Sequence, residues 1–93
     1  MVIKVIYKKN LKMSEGKVAS QVAHAVKNLG ITPLNINIIV LKVSDKKFQE
    51  YIDVIRNYKN YYIQCDKGLT EVEENTFTAA AWLEDIKYTL THT

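Results

Sequence analysis

Four polar residues, Lys17, Gln21, His24 and Asn28, recur at helical spacing near the start of the chain. This spacing places them on one stripe of a helix. Lys17 falls in the first turn, where unpaired backbone N–H groups already carry partial positive charge, so a cation there disfavours the helix by about 0.3–1 kcal/mol. A lysine added to a positive helix start is a candidate anion-binding group; the alternative is a solvated surface lysine.

Asp66 is a candidate for acid–base chemistry, because it follows a predicted strand and ligands gather at the C-terminal ends of strands in open α/β sheets. It could activate or position a water molecule. The alternative is an Asx turn bonded to the backbone of the next two residues. We interpret the neighbouring Cys65 as an inert packed thiol. His24, between two alanines, is interpreted as a structural hydrogen-bonding residue rather than a general base.

The helix that carries the polar stripe has clear start and stop signals. Ser14 is a good N-cap and Gly30 a good C-terminal stop, because glycine takes positive φ without steric clash. The predicted apolar face packs on a sheet and comprises Val18, Val22, Ala25 and Leu29, flanked by Ala19, Ala23 and Val26.

The rest of the chain alternates strand and helix patterns. Strands are predicted at residues 2–7, 35–43, 61–65 and 76–82, the last with a helix as the alternative. The β-branched residues at 35–43 favour a central strand. A second helix is capped by Ser44 or Asp45 and runs to about Asn60, with a buried side of Phe48, Tyr51, Ile52, Val54, Ile55 and Tyr58. A turn at 66–68, an extended segment at 70–72 and a loop at 73–75 precede the last strand.

This element order predicts an α/β fold with a mixed four-stranded sheet, three strands parallel and one antiparallel, with helices packed on its faces. The link from the third to the fourth strand is too short for a crossover, so the fourth strand should be antiparallel. The length favours one domain over residues 1–93.

Charge is unevenly distributed along the chain. Residues 1–30 hold six lysines against Glu15, a net +5, and residues 31–93 hold seven basic and nine acidic residues, a net −2. The basic N-terminal third suits a polyanion such as RNA, and plain solubility is the alternative. The composition shows no metal-ligand spacing, P-loop or apolar run near the roughly 20 residues of a membrane helix, and one cysteine points to a reducing cytoplasm.

Three blocks then carry a resemblance: NLKMSEGKVASQVAHA at 10–25, DKGLTEV at 66–72 and NTFTAAA at 75–81. In this order they resemble the type-II peptidyl-tRNA hydrolase family. The first block has the family's lysine-rich approach, its Gly-Lys pair opening a helix and its Ala-His-Ala. The resemblance implies a mixed four-stranded sheet with helices on its faces and cleavage of the ester that joins a peptide to tRNA.

The resemblance also implies roles for individual positions. Lys17, Asp66, Thr70 and Thr76 match the family's site residues, and Gln21 and His24 match supporting positions of the helix signature. The sequence departs from the family pattern at three places. Asn10 replaces an aspartate, Glu71 replaces a glutamine, and the segment 73–75 replaces a turn ending in Pro-Gly.

The predicted function is hydrolysis of peptidyl-tRNA without a cofactor or metal; the alternative is a non-catalytic relative that binds tRNA or protein. The expected partner is tRNA, held by Lys8, Lys9 and Lys12, with no membrane and with a homodimer left open. The expected location is the cytoplasm.

Overall fold

A computed structural model describes residues 2–31, 36–66 and 76–84, which form a four-stranded sheet, two α-helices and a short 3-10 turn. The elements are β1 (Val2–Lys8), the 3-10 turn (Lys9–Leu11), α1 (Glu15–Leu29), β2 (Asn37–Val43), α2 (Asp45–Ile55), β3 (Tyr61–Cys65) and β4 (Phe77–Glu84). The segments expected at 67–75, and the tail beyond Glu84, lie outside the described residues. Within these residues, neither helix is long and apolar enough to cross a membrane.

The helix ends confirm the capping predictions. The Ser14 hydroxyl accepts a hydrogen bond from the Lys17 N–H at 3.2 Å, and Gly30 ends α1 with φ of 78°. Ser44 caps α2 in the same way, through the Lys47 N–H at 3.2 Å. Because each cap satisfies a backbone group that the helix leaves unpaired, these short polar residues determine where both helices begin. The second helix ends at Ile55, earlier than predicted.

The strand order is β2-β1-β4-β3. Four strands in a mixed sheet with helices confirm the α/β class, but the expectation of three parallel strands is corrected. Among the strands that the structure describes, only β1 and β2 form a parallel pair, because β4 lies between β1 and β3 and is antiparallel to both. The short link after β3 allows β4 to add only as an antiparallel neighbour, and this insertion separates β3 from β1.

The alanines of β4 explain its central position. Ala79 and Ala81 pack with α1 on one face, and Ala80 packs with α2 on the other. Small side chains let both helices approach the sheet closely, so the segment is a strand although alanine favours helices. The core on the α2 face is built from Ile6, Phe48, Ile52, Ile55, Ala80 and Trp82. Val54, predicted to be buried, is 52% exposed.

The predicted central position of β2 is also wrong. It is an edge strand, and the side chains of Ile38, Ile39, Val40 and Leu41 are 37–49% exposed. Its β-branched residues favour a strand but do not specify which neighbours the strand has. The contacts of α1 are with β1, β3 and β4, so this helix leaves β2 largely uncovered.

Candidate active site

A shielded ion pair joins α1 to the end of β3. Lys17 Nζ lies 2.5 Å from Asp66 Oδ1, and the two side chains are only 10% and 4% exposed. Lys17 reaches this position from the first turn of α1, and Asp66 is the residue directly after β3. A lysine and an aspartate 49 positions apart are thus held in contact where little water can screen their charges.

Gln21, one turn beyond Lys17, links this pair to β4. Its Nε2 lies 3.5 Å from Asp66 Oδ1, and its Oε1 accepts a hydrogen bond from the Thr78 hydroxyl. Gln21 is 4% exposed and Thr78 is fully buried. Because an amide has one donor end and one acceptor end, the threonine hydroxyl orients Gln21 so that its N–H group points at the carboxylate.

An irregularity between β3 and β4 brings Thr78 into this group. Gln64 pairs with Ala79, but Cys65 pairs with Phe77, so Thr78 has no partner on β3. Regular alternation with Ala80 would place Thr78 on the α2 face. The extra residue instead turns its hydroxyl towards α1, as bulges beside functional sites often do. Sequence reasoning missed Thr78, because a bulge has no reliable sequence signal in a run such as TFTAAA.

The polar stripe of α1 is partly buried. Gln21 is buried against the sheet, and Lys17 is half-buried. Only the distal part of the stripe is exposed, including His24. Lys17 and Gln21 can lie against the sheet because Asp66 and Thr78 supply polar partners beneath the helix.

Of the two predicted site threonines, Thr76 lies within the described residues and Thr70 does not. The carbonyl oxygen of Thr76 accepts a hydrogen bond from the Asp66 N–H at 2.9 Å, so its backbone positions the aspartate. Thr70 lies outside the described residues, as do the partners of the proposed Asx turn. Cys65 is half-buried and free.

The N-terminal lysines differ in their surroundings. Lys8 Nζ lies 5.0 Å from the centre of the Phe48 ring, over the α2 face, and Lys4 pairs with Glu84 at 2.8 Å. Lys9 and Lys12 are exposed. They line a cavity of about 550 Å³ between α1 and β2, whose wall also includes Tyr7, Lys8, Met13, Val18, Val22, Val40 and Lys42.

The charges of Lys17 and Asp66 determine which reactions this site can support. Lys17 brings a cation to a helix start, where backbone N–H groups add to its positive field, and Asp66 provides a carboxylate in a fixed orientation. Together they suit a reaction in which water is positioned and negative charge develops on oxygen. Among the described residues, no three His, Cys, Asp or Glu side chains lie close enough to hold a metal ion.

A family model described as "Peptidyl-tRNA hydrolase PTH2" matches residues 1–84, which include Lys17, Gln21, Asp66 and Thr78. The chain belongs to this family. A search of the curated proteins finds no significant match. In this member of the peptidyl-tRNA hydrolase family, the match extends over all four strands and both helices, so the candidate site lies wholly within the family domain.

Proposed function

We propose that this protein hydrolyses the ester bond of peptidyl-tRNA, releasing the peptide and free tRNA. The observation that carries the proposal is the buried pair of Lys17 and Asp66, within a chain that matches the peptidyl-tRNA hydrolase family over residues 1–84. Translation supplies this substrate, and a cytoplasmic location follows from the proposed function.

In the proposed reaction, water attacks the ester carbonyl carbon. Asp66 accepts a proton from that water, while the positive end of α1 with Lys17 stabilises the oxyanion that forms. Collapse of the tetrahedral intermediate breaks the bond to the ribose oxygen, and the proton held by Asp66 passes to that oxygen. Gln21 keeps the carboxylate oriented throughout, since its N–H group faces Asp66 Oδ1.

The direct test is release of an N-blocked amino acid from tRNA by the purified protein. We expect cleavage well above the spontaneous rate, and the same rate after treatment with a chelator. Binding of tRNA without turnover would reject hydrolysis and establish the non-catalytic relative. Loss of turnover with chelator would reject the metal-independent reaction.

We further propose that Lys9 and Lys12, with a smaller contribution from Lys8, contact the tRNA backbone. Replacing Lys9 and Lys12 by alanine should weaken tRNA binding and lower the slope of log affinity against log salt, by about 0.7–0.9 for each phosphate that the variant no longer neutralises. Lys8→Ala should have less effect, because its ammonium group lies over Phe48. Filter binding at several salt concentrations measures both quantities.

The matched control for this experiment is the double substitution Lys46→Ala and Lys59→Ala, two exposed lysines away from α1. It removes the same charge from elsewhere on the surface, so a general effect of net charge would appear in both double variants. An equal loss of affinity in the control would contradict a contact at Lys9 and Lys12.

Thr78 is proposed as a positioning residue that acts through Gln21. Thr78→Val keeps the shape but leaves the buried Gln21 Oε1 without its hydroxyl donor. One hydrogen bond of about 1.4 kcal/mol corresponds to a tenfold effect, so kcat should fall about tenfold with little change in KM. Thr78→Ser restores the hydroxyl and should retain activity. Equal kcat for the valine and serine variants would show that Gln21 is held in another way.

A further inference from the structure

A second cavity, of about 270 Å³, lies on the α2 face of the sheet, between α2 and strands β1 and β4. The Lys17–Asp66 pair lies under α1 on the other face, so this cavity is separate from the candidate active site. Trp82 and Ile55 form its floor, and the exposed Val54 lies at its mouth. Its volume is just below the roughly 300–1,000 Å³ of pockets for drug-sized ligands, so it suits a smaller molecule with one ring system.

The floor of this cavity contains a polar group without a partner. Trp82 is 2% exposed, and its indole N–H has no hydrogen-bond partner among the described residues. Nearly all buried donors in folded proteins are paired, so an unpaired one needs an explanation. A ligand that places an acceptor atom beside Trp82 would supply the missing bond.

The walls of the cavity favour a flat aromatic ligand. Tyr51 and Tyr58 lie two turns apart on α2, and the Tyr51 ring centre is 5.4 Å from that of Trp82 with the planes tilted by 32°. Aromatic rings attract each other in offset and tilted contacts beyond the effect of buried area. A planar ring gains these contacts with the three side chains, whereas an aliphatic ligand gains burial alone.

The rim of the cavity favours an uncharged ligand. Lys4 Nζ lies 2.8 Å from Glu84 Oε2, and Lys47 Nζ lies 3.3 Å from Glu50 Oε2. Each cation that lines the cavity is thus paired with a carboxylate that also lines it. The described part of the rim therefore has no net charge with which to attract a phosphate or an ammonium group.

We propose that this cavity binds an uncharged, planar heteroaromatic ring with a hydrogen-bond acceptor at its edge, which is the chemistry of a purine base. The ring packs against Tyr51 and Tyr58, and its acceptor atom receives the indole N–H of Trp82. Because that N–H is shielded from solvent, binding includes a rotation of the half-buried Tyr51 ring away from Trp82. The base belongs either to a free nucleoside or to an RNA, since both present the same ring.

Titration of the isotopically labelled full chain with adenosine, followed by two-dimensional proton–nitrogen NMR, tests the proposal. Trp82 is the single tryptophan, so its indole N–H gives one identifiable signal. We expect this signal to move downfield as the hydrogen bond forms and to saturate with a Kd below about 1 mM, the weak range that suits so small a ligand. No saturable shift at Trp82, or shifts confined to α1, would overturn the proposal. Neither readout depends on ester cleavage.

A matched pair of substitutions on α2 tests the location of the ligand. Val54→Glu places a carboxylate in the wall and should weaken adenosine binding by at least about tenfold, because the ligand would desolvate that charge. Gln49→Glu adds the same charge at an exposed position outside the lining and should bind adenosine like the wild type. Each new glutamate lies four residues from an existing acid, Glu50 or Asp53, so the local repulsion is matched. Equal affinity in the two variants would overturn the proposal.

Repeating the titration with tRNA distinguishes the two sources of the base. If the base belongs to RNA, tRNA should move the same Trp82 signal and compete with adenosine. If it belongs to a free nucleoside, adenosine should move the signal equally with and without saturating tRNA. Both results support the site and each assigns its ligand.

Discussion

Asp66→Asn and Lys17→Met are each expected to lower the rate of ester cleavage by at least about 100-fold. Asparagine keeps the shape of Asp66 but cannot accept the proton of the attacking water. Methionine keeps the length of Lys17 but removes the charge that faces the oxyanion. Single-turnover cleavage of an N-blocked aminoacyl-tRNA measures the chemical step without interference from product release.

The control for this prediction is Lys27→Met, which removes a charge from an exposed position of the same helix. It should leave cleavage close to the wild-type rate. Circular dichroism would establish that all three variants keep the helix content of the wild type. Full activity in Asp66→Asn or in Lys17→Met would remove that residue from the proposed mechanism.

The effects of Asp66→Asn and Lys17→Met on the free energy of unfolding should also depend on each other. Either one alone leaves a charged partner in a shielded position, because the side chains of Lys17 and Asp66 are 10% and 4% exposed. Breaking a buried pair from one side lowers the free energy of unfolding by about 3 kcal/mol. The double variant leaves neither charge, so its loss should be smaller than the sum of the single losses by at least about 1 kcal/mol. It should remain inactive.

Urea unfolding followed by the fluorescence of Trp82, the single tryptophan, measures these free energies. A second ion pair supplies the comparison, because Lys47 and Glu50 lie 3.3 Å apart with side chains 62% and 52% exposed. Substituting Lys47 by methionine should change the free energy of unfolding by less than about 1 kcal/mol, since exposed pairs contribute little. Additive losses at Lys17 and Asp66 would contradict the coupling of that buried pair.

The features that the sequence determined by itself are local ones. Ser14, Gly30 and Ser44 specify helix ends through groups within a few residues of themselves, and the bounds of β3 followed from a short apolar run between turn residues. Lys17 was noticed because a cation at a helix start is locally unfavourable, and Asp66 because it follows a strand. Their family roles came from the resemblance of the blocks at 10–25 and 66–72.

The tertiary structure decided which distant groups meet. The insertion of β4 beside β1 left β2 at the edge, and no local preference in β2 encodes that order. The register shift opposite Cys65 turned Thr78 towards Gln21, which gives that buried amide a hydrogen-bond partner on the sheet. Strand order and bulges depend on the combined packing of all elements, whereas caps depend on neighbours along the chain. The ion pair of Lys17 and Asp66 therefore required the assembled sheet, although both residues could be identified without it.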